Sequence, residues 1–162
     1  MFPKTRMRRL RENRILREMV TETKIDLRNL IQPIFIDENI GKNIPIPSMP
    51  NIERFSLETL TNEALKIEEM GIPSVILFGI PKEKDEFGTQ AYNDEGIIQK
   101  SIRKLKKETD LFVIADLCLC EYTSHGHCGI VKNGKILNDE TLELYKKIAV
   151  SYANAGVDMV AP

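Results

Sequence analysis

An α/β fold, with a parallel sheet buried beneath helices, is what this sequence predicts. Two observations carry the prediction. Several short runs are apolar throughout and rich in β-branched residues, as strands buried on both faces must be. Amphipathic helical stretches alternate with them, the arrangement of successive β–α units. The count sets the architecture: three such units and the opening of a fourth strand follow a basic N-terminal segment. A (β/α)8 barrel takes ~250 residues. Residues 30–162 therefore predict roughly the first half of such a barrel, truncated after its fourth strand.

Taken in order, residues 1–29 form a basic arm. Lys4, Arg6, Arg8, Arg9, Arg11, Arg14 and Arg17 alternate with Met7, Leu10, Ile15, Leu16 and Met19. Such a segment can bind phosphates or direct nuclear import. It can equally pack on another subunit through its apolar residues. The second reading is preferred, because no aromatic residue sits among these arginines to stack on a base. "LIQPIFI" (30–36) reads as the first buried strand, blemished by Pro33. After a Pro-rich loop, Ser56 is placed to cap a helix carrying Leu57, Leu60, Ala64 and Ile67. Phe55 and Leu60 are spaced as a hydrophobic staple, and Gly71 supplies the stop. "SVILFGI" (74–80) is the second strand, and a helix is expected from about Asp94 to Thr109 with Ile98, Ile102 and Leu105. "LFVIADLCL" (111–119) is the third strand. In "GIVKNGKIL", Asn133-Gly134 suits the two-residue turn of a small hairpin. A last helix should start at Asn138 or Asp139, run through Leu142, Tyr145, Ile148 and Tyr152, and stop at Gly156. "VDMVAP" then opens the fourth strand.

Bulk properties exclude several function classes. The 162 residues are 42% hydrophobic and 29% charged with a formal net charge of −1, which suits a core-building chain and no overall polyanion binder. No apolar run approaches the ~20 residues of a membrane span. The first residues lack the apolar stretch of a secretory signal, and acidic residues dilute any mitochondrial presequence. A cytoplasmic chain with reduced thiols, binding neither membrane nor nucleic acid, is expected. No P-loop and no G-x-G-x-x-G is present, so nothing points to a nucleotide.

What remains is "DLCLCEYTSHGHCG" (116–129), which contains all three cysteines and both histidines of the chain. Asp116, Cys118 and Cys120 alternate, so an extended segment projects them to one side. Cys128 returns through a loop of small residues. Three thiolates suit a soft or borderline metal, with Zn²⁺ the first candidate. Three protein ligands leave a position for water or substrate, the catalytic arrangement, and barrel strands end at the active-site face. Other readings stand beside this one. Cys118 and Cys120 can form a strained disulfide, or Cys118 can be an inert buried thiol. His125 or His127 can close the site as a fourth ligand, or serve as neighbouring donors or acid–base groups. Asp116 can assist proton transfer or merely accept loop N–H bonds. Tyr122, Thr123 and Ser124 are nucleophiles only in principle.

The same fourteen residues closely resemble the metal-binding signature of the porphobilinogen synthase (delta-aminolevulinic acid dehydratase) family. "RMRRLRENRILREM", "LIQPIFI", "SVILFGI", "YNDEG", "NDETLE" and "AGVDMVAP" agree in order, over essentially the whole chain but only the N-terminal half of the family's length. The resemblance implies a (β/α)8 barrel whose arm embraces a neighbouring subunit, commonly in a homo-octamer. It implies condensation of two 5-aminolevulinate molecules to porphobilinogen with loss of two waters, in tetrapyrrole and haem synthesis. It implies that Cys118, Cys120 and Cys128 ligate a catalytic zinc with Asp116 beside it in a supporting catalytic role, and it leaves room for Mg²⁺ as an allosteric ion outside this half. The family's Schiff-base lysines fall in the other half, so this polypeptide by itself is expected to be inactive. The alternative is a small zinc-binding interaction module with a basic arm, its metal closed by His125 or His127.

Overall fold

The structure, a computed structural model, describes residues 4–162; Met1, Phe2 and Pro3 of the predicted arm lie outside them. Before the first strand the chain forms a 3-10 turn at Arg9–Arg11 and a short helix α1 (Arg14–Met19). Asn13 caps α1, its side-chain oxygen accepting from Ile15 N at 2.7 Å. Met7, Leu10, Ile15 and Met19 are all exposed.

Strand β1 (Ile31–Asp37) follows, then the short antiparallel pair β2 (Ile44–Pro45) and β3 (Glu53–Phe55), helix α2 (Leu60–Glu69) and strand β4 (Ser74–Ile80). Helix α3 (Ile97–Glu108), strand β5 (Phe112–Asp116), the hairpin β6 (Val131–Lys132) and β7 (Lys135–Ile136), helix α4 (Asn138–Ala155) and strand β8 (Met159–Ala161) complete the chain. The main sheet has the order β2-β3-β1-β4-β5-β8. Strands β1, β4, β5 and β8 are mutually parallel and neighbour one another in chain order, each joined to the next through a helix. That is the winding of a (β/α)8 barrel, present here in part.

One face of the sheet carries the core. Ile34 and Ile36 of β1, Val75 and Leu77 of β4, and Val113 and Ala115 of β5 are buried with Leu60, Ala64 and Ile67 of α2, Ile98, Ile102 and Leu105 of α3, and Ile148 and Tyr152 of α4. The alternate residues form the other face, where the Phe35 and Phe78 rings stack with centroids 5.2 Å apart. Pro33 is tolerated within β1, whose register with β4 runs unbroken from Ile31↔Ser74 to Asp37↔Ile80.

Local expectations hold with adjustments that have physical causes. Ser56 and Thr59 form a reciprocal cap: Thr59 N donates to Ser56 Oγ at 3.3 Å and Ser56 N to Thr59 Oγ1 at 3.1 Å. The regular helix then begins at Leu60. Helix α3 starts at Ile97 rather than near Asp94, because Asn93 holds Glu95 N and Gly96 N in a preceding turn. In α4, Leu142 is exposed and Leu144 buried instead. The buried stripe runs Thr141, Leu144, Ile148, Ser151, Tyr152 and Ala155, and Leu142 lies about half a turn from Leu144. The hairpin turn is as expected, with φ of 52° at Asn133 and 73° at Gly134.

At the sheet edge opposite the cysteines, Asp158 accepts from Val113 N at 2.7 Å and from Lys106 Nζ at 2.8 Å. Partial burial raises its carboxyl, but donation from Lys106 and Val113 outweighs this and holds it below the usual value. A lowered folded pKa contributes stability above the unfolded value of about 3.8 and loses it as pH falls through the folded one. Asp158→Asn is therefore expected to cost of order 1 kcal/mol at pH 7. The gap from wild type should close as unfolding is measured at successively lower pH below about 4.

Candidate metal centre

Strand β5 ends at Asp116, where its register with β8 ends at Asp116↔Ala161 and Leu117 N makes a last bond to Ala161 O at 2.9 Å. The expected strand to residue 119 is thus shortened, and Cys118 and Cys120 stand on the turn that follows. Beyond Leu117 a turn replaces the ladder, for Leu119 O accepts from both Tyr122 N and Thr123 N at 2.9 Å. The alternation survives in burial. Leu117 and Leu119 enter the core, while Cys118 and Cys120 stay only half-buried.

The turn and the loop after it bring the three sulfurs together. Cys118 Sγ lies 3.3 Å from Cys120 Sγ, all three cysteines are free thiols, and the three sulfur atoms lie within 4.8 Å of one another. A tetrahedral ion with metal–sulfur bonds of ~2.3 Å separates its sulfurs by about 3.8 Å, so the spacing matches the donor set. Cys118 also belongs to a second group: its sulfur and carboxylate oxygens of Asp116 and Glu121 lie within 4.8 Å of one another. Glu121 was not singled out from the sequence. Its one signal there was adjacency to Cys120, which does not by itself orient a side chain inward.

The electrostatics fit a cation. Burial and then Glu121 raise the Asp116 carboxyl to about 6. Burial, the hydrogen bond with Cys118 and the charge of Glu121 push the Cys120 thiol well above its ordinary range, and its contact with Cys118 raises Cys128. Among the described residues no lysine, arginine or histidine forms an ion pair with Asp116 or Glu121. A group of five acids with no cationic partner suits a divalent ion, whose binding displaces the thiol protons.

The other residues of the signature frame this group. His125 and His127 are both exposed, with ring centroids 5.5 Å apart. His127 N donates to His125 Nδ1 at 3.1 Å, and His125 Nε2 lies 3.3 Å from Glu86 O. Among the described residues, neither histidine joins a cluster able to hold a metal. Thr123 Oγ1 donates to His127 O at 2.9 Å, and Ser124 N donates to Asp85 O at 2.8 Å. Tyr122 is buried on the core side, its hydroxyl 3.5 Å from that of Tyr152, and burial raises both phenols. Gly79 makes room for it, since a Cβ there would stand 2.7 Å from the Tyr122 oxygen. None of Tyr122, Thr123 and Ser124 has a base arranged for nucleophilic use among these bonds. Tyr145 of α4 was legible only as a helix-face residue, yet its hydroxyl donates to Cys128 O at 3.0 Å and ties the third cysteine to the helix.

Known proteins resemble this chain closely. Residues 4–162 match the family model described as delta-aminolevulinic acid dehydratase. Proteins of that name from Methanothermus sociabilis and Bacillus subtilis are 55% and 52% identical, over 99% and 97% of this chain and 50% and 49% of their own lengths. The crystal structure of delta-aminolevulinic acid dehydratase (porphobilinogen synthase) from Toxoplasma gondii, in complex with the reaction product porphobilinogen, superposes with a TM-score of 0.89 at 37% identity. That match covers 96% of this chain and 46% of the other. The chain spans about half the length of the curated relatives it matches. With the family model matching residues 4–162 and relatives more than half identical over nearly the whole chain, this partial barrel can be read in one way: the chain belongs to the delta-aminolevulinic acid dehydratase family.

Proposed function

We propose that this chain forms the metal-binding half of a porphobilinogen synthase, which condenses two 5-aminolevulinate molecules to porphobilinogen with loss of two waters, in tetrapyrrole and haem synthesis. The observation that carries the reading is the convergence of Cys118, Cys120 and Cys128 at the C-terminal end of a barrel strand, where barrel enzymes hold their active sites. The three thiolates hold zinc. Bound there, zinc supplies Lewis-acid polarisation of a substrate oxygen. Asp116 and Glu121 present carboxylates beside Cys118, where they orient donors and hold a proton close to the reacting groups. Leu117 and Leu119 anchor the sulfurs from below, and Tyr145 fixes the backbone of Cys128. Covalent capture of substrate falls to Schiff-base lysines of the other half, so this chain alone is inactive.

The domain division follows the same reading, with an arm over residues 1–29 and the partial barrel over 30–162. The exposed apolar residues of the arm support its packing on a second subunit in a homo-octamer. Among the described residues, no helix is long and apolar enough to cross a membrane. We assign the enzyme to the cytoplasm and give nucleic acid no part in its action. Any allosteric Mg²⁺ binds outside this half.

The test is porphobilinogen formation by this chain alone and by the same chain joined to the second half of the Bacillus subtilis relative. The joined protein should form porphobilinogen in a zinc-dependent manner, and the chain alone none. A joined protein that folds, binds zinc and yet makes no porphobilinogen would overturn the assignment.

A further inference from the structure

The turn that returns Cys128 to Cys118 and Cys120 has its apex at Thr123–Gly126, and that apex is held from outside the signature. Asp85 and Thr123 form an isolated parallel bridge, and Ser124 N donates to Asp85 O at 2.8 Å. His125 Nε2 sits 3.3 Å from Glu86 O. The neighbouring Gly88, buried and left-handed at φ 62°, lies against the same turn. A Cβ there would stand 2.7 Å from Leu119 Cδ2 and 3.3 Å from Tyr122 Cβ. The loop over residues 81–93 is therefore the surface against which the cysteine loop is formed.

What shapes that loop is the Asp85 carboxylate. Its Oδ1 accepts from Phe87 N at 2.9 Å and Thr89 N at 3.1 Å, and its Oδ2 accepts from the Thr89 hydroxyl. Burial pushes this carboxyl up, but donation from Thr89, Phe87 and Gly88 outweighs it and the net shift is downward. One side chain thus closes the turn that presents Asp85 O to Ser124 and sets Gly88 against Leu119. It touches no sulfur.

We infer that Asp85 is a positioning residue for the metal centre, preorganising the return of Cys128 through its grip on Thr123 and Ser124. This rests on the tri-thiolate reading above. Without the clamp, the seven residues between Cys120 and Cys128 must be ordered at the moment of metal binding, and that entropy opposes affinity. Groups that orient ligands in this indirect way typically change metal affinity by about 10- to 100-fold.

The experiment titrates the 162-residue chain with Zn²⁺ against a competing chelator, and with Co²⁺ to read thiolate-to-metal charge transfer. Asp85→Ala is expected to weaken Zn²⁺ binding by about 10- to 100-fold and to alter the Co²⁺ spectrum. Asp85→Asn should recover most of the affinity, because its oxygen still accepts from Phe87 N and Thr89 N and its amide can donate to the Thr89 hydroxyl. Thr89→Val, a milder change should Asp85→Ala fail to fold, should weaken binding by roughly 3- to 10-fold. Asp158→Ala serves as the control for a general loss of stability, since it lies at the opposite end of the strands. Unchanged affinity in Asp85→Ala, or equal losses in Asp85→Ala and Asp158→Ala, would overturn the inference while leaving the tri-thiolate site intact. A wild-type chain with no charge-transfer band would overturn both.

Discussion

Cys118→Ser is expected to lower Zn²⁺ affinity by about two to three orders of magnitude, more than any other single change in the centre. Apparent zinc binding energies of about 10–16 kcal/mol in sites of four protein ligands assign roughly 2.5–4 kcal/mol to each. Cys118 stands above that share for a geometric reason. Its sulfur is 3.3 Å from Cys120 Sγ and also belongs to the group formed with Asp116 and Glu121. Cys128, exposed on its loop, should cost less when replaced, because its sulfur belongs to the three-sulfur group alone and not to the group with Asp116 and Glu121. Chelator competition across the three serine variants gives the order directly. Equal affinity in Cys118→Ser and wild type would exclude the tri-thiolate centre. In the metal-free state the same substitution should shift the urea midpoint little, since Cys118 is only half-buried and its thiol is not part of the core.

Leu119→Ala should do the reverse. Leu119 is fully buried between two half-buried cysteines, and its side chain fills the space beside Gly88. Truncating a buried leucine costs about 2–5 kcal/mol, the larger values where the surroundings cannot close the cavity. Here the adjoining Gly88 has no side chain to move into the space, so a loss of about 3–4 kcal/mol is expected. That is a large part of the 5–15 kcal/mol typical of a folded domain. Urea unfolding of the metal-free chain measures it. An unchanged midpoint would mean that the cysteine loop lies outside the cooperatively folded unit. The contrast between the two variants separates the donors from their scaffold, although the residues are adjacent.

Much of the fold was legible because strand and helix identity depend on residues close in sequence. The uniformly apolar run at 74–80 and the i, i+4 spacing of Ile98 and Ile102 need no partner to be recognised. Departures arose where a tertiary neighbour intervened. The third strand stops at Asp116 because the ladder to β8 ends there. Helix α4 buries Leu144 in place of Leu142, since the angle at which it meets the sheet selects which stripe turns inward. The three clustered thiols were legible for a different reason, a scarce residue type concentrated in one segment. The histidines illustrate the limit of such reasoning. They are as concentrated as the cysteines, yet they face outward.

By itself the sequence determined the order of the elements, the parallel winding and which segment concentrates the thiols, all of which follow from composition and local periodicity. Only the tertiary structure decided that the three sulfurs meet while the histidines do not, that Glu121 joins Asp116 and Cys118, and that Asp85 and Tyr145 hold the loop. The reason is one of distance along the chain. Asp85 is 38 residues from Thr123, and Tyr145 17 from Cys128. Contacts of that separation depend on how independently formed elements dock, which no local pattern encodes.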